Sequence, residues 1–269
     1  MRVSIALAAF LAVAGPRPVS AFSGKVHEEV SREALTDMSF DGAAADQVVV
    51  GNLNTDKDES DGGEFWTPAA HFDNEQVAAG AARLKLKLNE ALDALDDCNA
   101  VLARERLGRA LHGVQDFLAH SNWVENHGSG DALDPLTLTD PAKDVVCEPK
   151  THKGALTTGY YFRDKTQAPP PGKCLHDGKL NKDDPSRPFH AEARARGLIE
   201  TKAMLARFDR AVRIRFAAVG AGETHFRLRL LKDTSAGFEE QRRGCRPRPA
   251  AGGSRPLPMP PGVDFNPWR

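Results

Sequence analysis

The four cysteines of this 269-residue chain form no C-x-x-C pair, which argues against a structural zinc ribbon. Aromatic residues are sparse as well. Two tyrosines and three tryptophans give a single-stranded nucleic-acid binder little stacking surface. Net charge is nearly absent: 36 Lys and Arg against 37 Asp and Glu leave −1, so no global field draws the chain to DNA. No internal repeat is visible, and no apolar run reaches the roughly 20 residues that span a bilayer.

What the chain does have begins at its first residues. Arg2, the apolar run VSIALAAFLAVAG and the small-residue stretch PVSA carry the three regions of a secretory signal peptide. Cleavage is expected after Ala21, with residues 1–21 the leader and the mature protein secreted or periplasmic. Export to an oxidising compartment turns the cysteines toward disulfides. Three pairings are possible. Cys147 and Cys174 flank one loop-rich segment while Cys98 lies in a helix and Cys245 in a tail, so 147–174 with 98–245 is the expected arrangement.

Periodicity makes the chain mostly α. Val26, Val30 and Ala34 give helical spacing over about 24–37, and a loop rich in Asp, Asn and Gly follows over 52–63. A long amphipathic helix is predicted over 75–97, and a second from about 99 through LHGVQDFLAHSNWVE at 111–125, the two forming an antiparallel pair. Residues 126–186 keep no period for more than a few residues, although ALTTGYYF can supply a short strand or lid. Helices return over about 189–219 and 223–233. The helical domain is drawn over 22–235, and the Pro/Gly/Arg-rich residues 236–269 read as a tail without a core.

His112, Asp116 and His120 stand four apart, so each drifts only about 40° around the helix from the last. One face then carries three metal-ligating side chains amid apolar neighbours (Leu111, Val114, Phe117, Leu118). Other donors can converge on it. His27 lies five residues after Phe22, whose freed α-amine is itself a nitrogen ligand. His71, between Ala70 and Phe72, follows a loop offering Asp56, Asp58 and Asp61 as oxygen ligands. That loop departs from the 12-residue EF-hand spacing, which sets calcium aside. His190 opens the late helix; His127, His152 and His176 fall in the irregular region, where histidines are mostly solvated, and His225 is expected to be bland.

Taken in order, Phe22, His27, the Asp loop, HFDN at 71–74 and His112-x3-Asp116 resemble the zinc-dependent phospholipase C and single-strand nuclease superfamily. LTTGYYF, GKCLHDG and NKDDPSRPFHAEA place the likeness nearest the heterokaryon-incompatibility protein C branch. The resemblance spans about residues 22–220. It implies an all-α fold and two or three zinc ions: Phe22 through its backbone, His27 and Asp116 on one; Asp56, His71, His112 and Asp116 on a second, with Asp116 bridging; His120 and His190 on a third. The chain departs from that pattern where Asn122 stands six residues after the bridging Asp and Arg194 four after His190. Glu192, Asp184, His176 and Glu125 are the alternative third-site ligands.

The expected chemistry is phosphodiester hydrolysis of phospholipid headgroups, with zinc-bound water as nucleophile and Asp58 or Asp61 orienting or deprotonating it. Phe65, Trp66 and the TGYYF aromatics either meet a membrane surface transiently or belong to the core. A single-strand nuclease is the second reading, with nucleic acid the less favoured partner. The third is a non-catalytic interaction or toxicity module in which zinc is structural.

Overall fold

The computed structural model describes residues 22–128, 131–142, 147, 155–164, 166–217, 227 and 230–232. The expected leader over 1–21, the tail over 236–269 and most of the helix expected over 223–233 lie outside them. Among the described residues the fold is all-α: α1 (Gly24–Asp37), α2 (Gly42–Thr55), a 3₁₀ turn (Glu64–Trp66), α3 (Pro68–His71), α4 (Val77–Asp96), α5 (Ala100–His120), α6 (Trp123–His127) and α7 (His190–Phe216). None of these helices is long and apolar enough to cross a membrane.

Helix α5 is the axle of the domain. Every residue from Ala110 to His120 is buried, as expected of a helix packed on all sides, and α1, α2, α3, α4 and α7 all contact it. Asn99 caps its start by accepting from the Leu102 amide at 3.0 Å. Its neighbour α2 is not marked by the sequence pattern, and the loop expected over 52–63 starts at Asp56, four residues later than Asn52, because α2 runs to Thr55. Asp41 caps α2 by accepting from the Ala44 amide at 2.8 Å.

The α2–α5 crossing is a backbone-to-backbone contact. A Cβ on Gly108 would stand 2.1 Å from the Val48 carbonyl oxygen, and one on Gly51 would stand 2.3 Å from that of Glu105. Only glycine permits this approach, and the approach brings Asn52 against α5.

The helix expected to continue to 125 stops at His120. Ser121 turns extended and bridges Thr158, and its carbonyl accepts from Lys182 Nζ at 2.7 Å. The Asn122 side chain accepts from the Thr157 amide at 2.9 Å and donates to the Ala155 carbonyl at 3.0 Å. Backbone groups that would propagate a helix are thus committed to the irregular segment. That segment carries two isolated bridges, Ser121 with Thr158 and Tyr160 with Leu175, rather than a strand. A disulfide joins Cys147 to Cys174. Cys98 is also disulfide-bonded, while Cys245 lies outside the described residues.

Gly108→Ala should destabilise the domain by about 1–3 kcal/mol, because the added methyl strikes a carbonyl at the crossing and overrides the ~1 kcal/mol that alanine gains in an ordinary helix. Urea unfolding followed by circular dichroism measures it; equal or greater stability than the parent contradicts the backbone contact.

Candidate metal centre

Asp116 lies about one turn before the end of α5, with no solvent exposure. A carboxylate buried so deeply is stable only with partners, and three imidazoles surround it. His71 Nδ1 stands 2.7 Å from Oδ2 and His112 Nε2 stands 2.9 Å from the same oxygen. His27 Nε2 stands 3.1 Å from Oδ1, yet Oδ1 accepts no hydrogen bond. Asp56 closes the group, its Oδ1 lying 3.4 Å from His112 Nε2 and 3.8 Å from His71 Nδ1. Within this group, one ligand atom from each of Asp56, His71, His112 and Asp116 lies within 4.8 Å of the others.

The far side of each ring decides what faces Asp116. His71 Nε2 donates to the Glu64 carbonyl at 3.2 Å. His112 Nδ1 donates to Asn52 Oδ1 at 3.2 Å, and that oxygen is left to accept because Asn52 Nδ2 donates to Ser31 and Gln115. His27 Nδ1 donates to Gln115 Oε1 at 2.6 Å, while Gln115 Nε2 donates to Ser31 and Thr201. In each neutral ring the remaining nitrogen carries a lone pair, and all three lone pairs point at one carboxylate. Electron-rich atoms meet this way only around a cation: either extra protons or a metal ion. Outer N–H groups tied to carbonyls and amides are also how metal-binding histidines are oriented.

Without a metal, charge does the work through protons. Burial alone would lower His112, but Asp116 and Asp56 outweigh it and push the imidazole up to about 10. Burial would likewise raise the Asp116 carboxyl, and the His112 imidazole, with His27 and His71, holds it well below the ordinary range.

The rim is built from the 3₁₀ turn. Burial would raise Glu64; Arg83 overcomes this, with Arg109 and Lys87, and brings its carboxyl down to about 2. That anchorage fixes the backbone whose carbonyl receives His71. Phe65 lies edge-on to His71 at 6.5 Å and packs with Trp66 and Tyr161, while Arg163 covers Trp66 at 4.9 Å. These aromatics are half-buried, so they form a partly open wall.

The other expected site residues fall in three places. Phe22 is fully buried with its ring edge-on to His27 at 5.6 Å and to His190 at 6.2 Å. Asp58 accepts from the Ser60 hydroxyl at 2.6 Å and from the Glu64 amide at 3.4 Å. Asp61 is fully exposed beside Arg163, and neither aspartate joins the four-residue group.

His190 does not meet His120. Its Nδ1 donates to the Lys182 carbonyl at 2.7 Å. His120 instead stacks on His176 at 3.8 Å between ring centres and places Nε2 3.1 Å from Asp183 Oδ1. Of the alternative third-site ligands, Glu192 is exposed, Asp184 accepts from the Ser186 amide at 2.8 Å, Glu125 pairs with Lys182 at 2.9 Å, and His176 alone reaches His120. His176 is buried rather than solvated, and Asp183, beside the Asp184 weighed from sequence, was missed.

The family description that matches this chain is the VWA7 N-terminal domain, over residues 25–151. Curated relatives are the von Willebrand factor A domain-containing protein 7 of rat, human and mouse. The rat protein is 32% identical over 175 residues, which is 58% of this chain and 18% of the relative. The human protein is 35% identical over 139 residues, 45% of this chain and 15% of the relative; the mouse protein is 34% identical over a stretch of the same length. The chain therefore spans under a fifth of the length of these relatives. No solved structure matches.

These similarities correct the likeness drawn from the motifs. His27, the Asp loop, HFDN and His112-x3-Asp116 all fall inside the segment that matches the VWA7 N-terminal domain, so the phospholipase C, single-strand nuclease and heterokaryon-incompatibility assignments fall, and the hydrolase reading with them. The physical reason is that His and Asp at helical spacing are the common grammar of any buried metal or charge cluster. They specify a coordination chemistry without specifying a lineage.

The Glu64 carboxyl ties folding to pH. Its folded value of about 2 lies below the ordinary 4.5, so the stability it confers is fully present above pH 4.5 and is lost as the pH falls toward 2. Glu64→Gln should flatten that part of the acid limb in a series of denaturant titrations, and a limb of unchanged slope contradicts the Arg83–Arg109–Lys87 anchorage.

Proposed function

We propose that this domain binds a divalent transition-metal ion, zinc being the best fit, through Asp56, His71, His112 and Asp116, and that the ion organises the helical core. One observation carries the reading. Three imidazoles whose outer N–H groups are already committed direct their remaining nitrogens at one fully buried carboxylate, and one oxygen of that carboxylate accepts no hydrogen bond.

The donor chemistry selects the ion class. Two imidazole nitrogens and two carboxylate oxygens suit zinc and its neighbours, whereas calcium and magnesium favour all-oxygen shells. Four protein donors also match the number that tetrahedral zinc takes in a closed site. Side chains of Asp56 and His71 retain 9% and 7% exposure, which leaves a narrow route for the ion. When bound, it supplies the positive charge that Asp116 and Asp56 otherwise draw from protonated His112.

All four ligands lie within the segment similar to the VWA7 N-terminal domain, so the centre is proposed as a property of that kind of domain. The leader-like residues 1–21 and the Cys147–Cys174 disulfide support reading the domain as exported, to a compartment where disulfides persist.

Full-length protein stripped with a chelator and reloaded with zinc should take up an equivalent that is missing from His112→Gln and Asp116→Asn, read by elemental analysis after desalting. At a thousandfold excess over the dissociation constant, ligand linkage adds about 4 kcal/mol, so unfolding should move up by about 10 °C for a domain of this size. Equal zinc content in the parent and both variants, with no thermal shift on reloading, would sink the proposal.

A further inference from the structure

His120 ends α5 two helical turns beyond His112, about 12 Å farther along the axis at 1.5 Å per residue. It is 1% exposed, and neither ring nitrogen has a hydrogen-bond partner. A buried histidine with both nitrogens unsatisfied is costly. Two further buried groups face it. Asp183, 4% exposed, brings Oδ1 to 3.1 Å from His120 Nε2 without a hydrogen bond forming, while Asn181 Nδ2 donates to Oδ2. His176, 3% exposed, stacks on His120 and donates from Nδ1 to Asp73 Oδ1 at 2.9 Å. The tautomer that donates to Asp73 leaves Nε2 with its lone pair.

We infer that His120, His176 and Asp183 form a second, separate centre for a divalent transition-metal ion. One ligand atom from each lies within 4.8 Å of the other two. The two histidine nitrogens and single carboxylate oxygen make a donor set for zinc or a neighbouring ion. Asp73 stands behind His176 as the carboxylate that orients a metal-bound imidazole. Three protein donors leave at least one position for water or an incoming ligand.

The surroundings hold the donors in place. Lys182 Nζ donates to the carbonyls of Ser121 and Leu180 and pairs with Glu125, which pins Asp183 against the end of α5. The Tyr160 amide donates to the Cys174 carbonyl and the His176 amide donates to the Tyr160 carbonyl, so His176 is carried by the disulfide-closed segment. An ion here ties that segment to α5. The second centre shares no ligand with the first; His120 lies within the segment similar to the VWA7 N-terminal domain, and His176 and Asp183 lie beyond it.

The test uses the full chain, stripped with a chelator, reloaded with zinc alone and desalted, with zinc per chain measured by elemental analysis. Far-ultraviolet circular dichroism checks the fold of each variant. Two equivalents in the parent, one in His176→Gln or Asp183→Asn and one in His112→Gln are expected. Two equivalents retained in folded His176→Gln and Asp183→Asn overturn the second centre, as does a single equivalent that survives both. A single equivalent lost from these two and kept by His112→Gln removes the first centre and upholds the second. Should both of these variants unfold, the parent and His112→Gln decide: one equivalent in His112→Gln upholds the second centre, and none overturns it.

Discussion

A carboxylate with no exposure, one turn before the end of the most buried of the described helices, is the constraint around which the domain is arranged. Asp116 cannot be desolvated alone; an isolated ionised carboxylate in a low-dielectric interior costs far more than a small domain's net stability. Its partners must come from other parts of the chain, and they do: His27 from α1, His71 from α3, His112 from the preceding turn of α5, and Asp56 from the end of α2. Packing these elements around α5 and neutralising Asp116 are therefore the same event.

The second layer explains why the elements sit where they do. Ser31, Asn52, Gln115 and Thr201 form one buried amide and hydroxyl network joining α1, α2, α5 and α7. Each amide spends its nitrogen on that network and presents its oxygen to an imidazole. Such a network is favourable only if every member is satisfied, and the glycine crossing of α2 on α5 sets the distance that allows it. A methyl at Gly108 would push α2 outward and carry Asn52 away from His112. The smallest side chain in the core thus governs the orientation of a ring one helical turn farther along.

How much of this the sequence discloses depends on whether a residue lies in a periodic element. His112 and Asp116 were legible from spacing alone, His71 from its apolar neighbours Ala70 and Phe72, and His27 from its place five residues after Phe22. Asp56 was legible only as one of three loop acids, since nothing in DKDESD distinguishes the residue at the end of α2 from the exposed Asp61. His176 and Asp183 lie in 126–186, where no period assigns a face, so burial there could not be inferred. His190 reads as an available ligand because it opens a helix, whereas its ring lies against Phe22 and it joins neither buried His/Asp group. The family likeness failed for a related reason: it rested on ligand order, and similar ligand order serves unrelated proteins.

The described residues of the irregular segment show how a stretch without a regular helix or sheet is held in place. Its described residues pair backbone to backbone at points such as Tyr160–Cys174 and His176–Tyr160, and buried side chains satisfy further points. Glu75 receives Thr157, Tyr160 and Lys173; Asn74 receives the Tyr161 amide and donates to its carbonyl; Asn122 brackets Thr157; Lys182 closes on Ser121 and Glu125. Glu75 and Asn74 themselves hold left-handed backbone conformations in the turn before α4, which costs on the order of 1 kcal/mol or more each and persists only where surrounding contacts demand it. The contacts demanding it here all come from the segment over 157–173. The turn and the segment therefore stabilise one another, and together they deliver His176 and Asp183 to the end of α5, where His120 has no other partner.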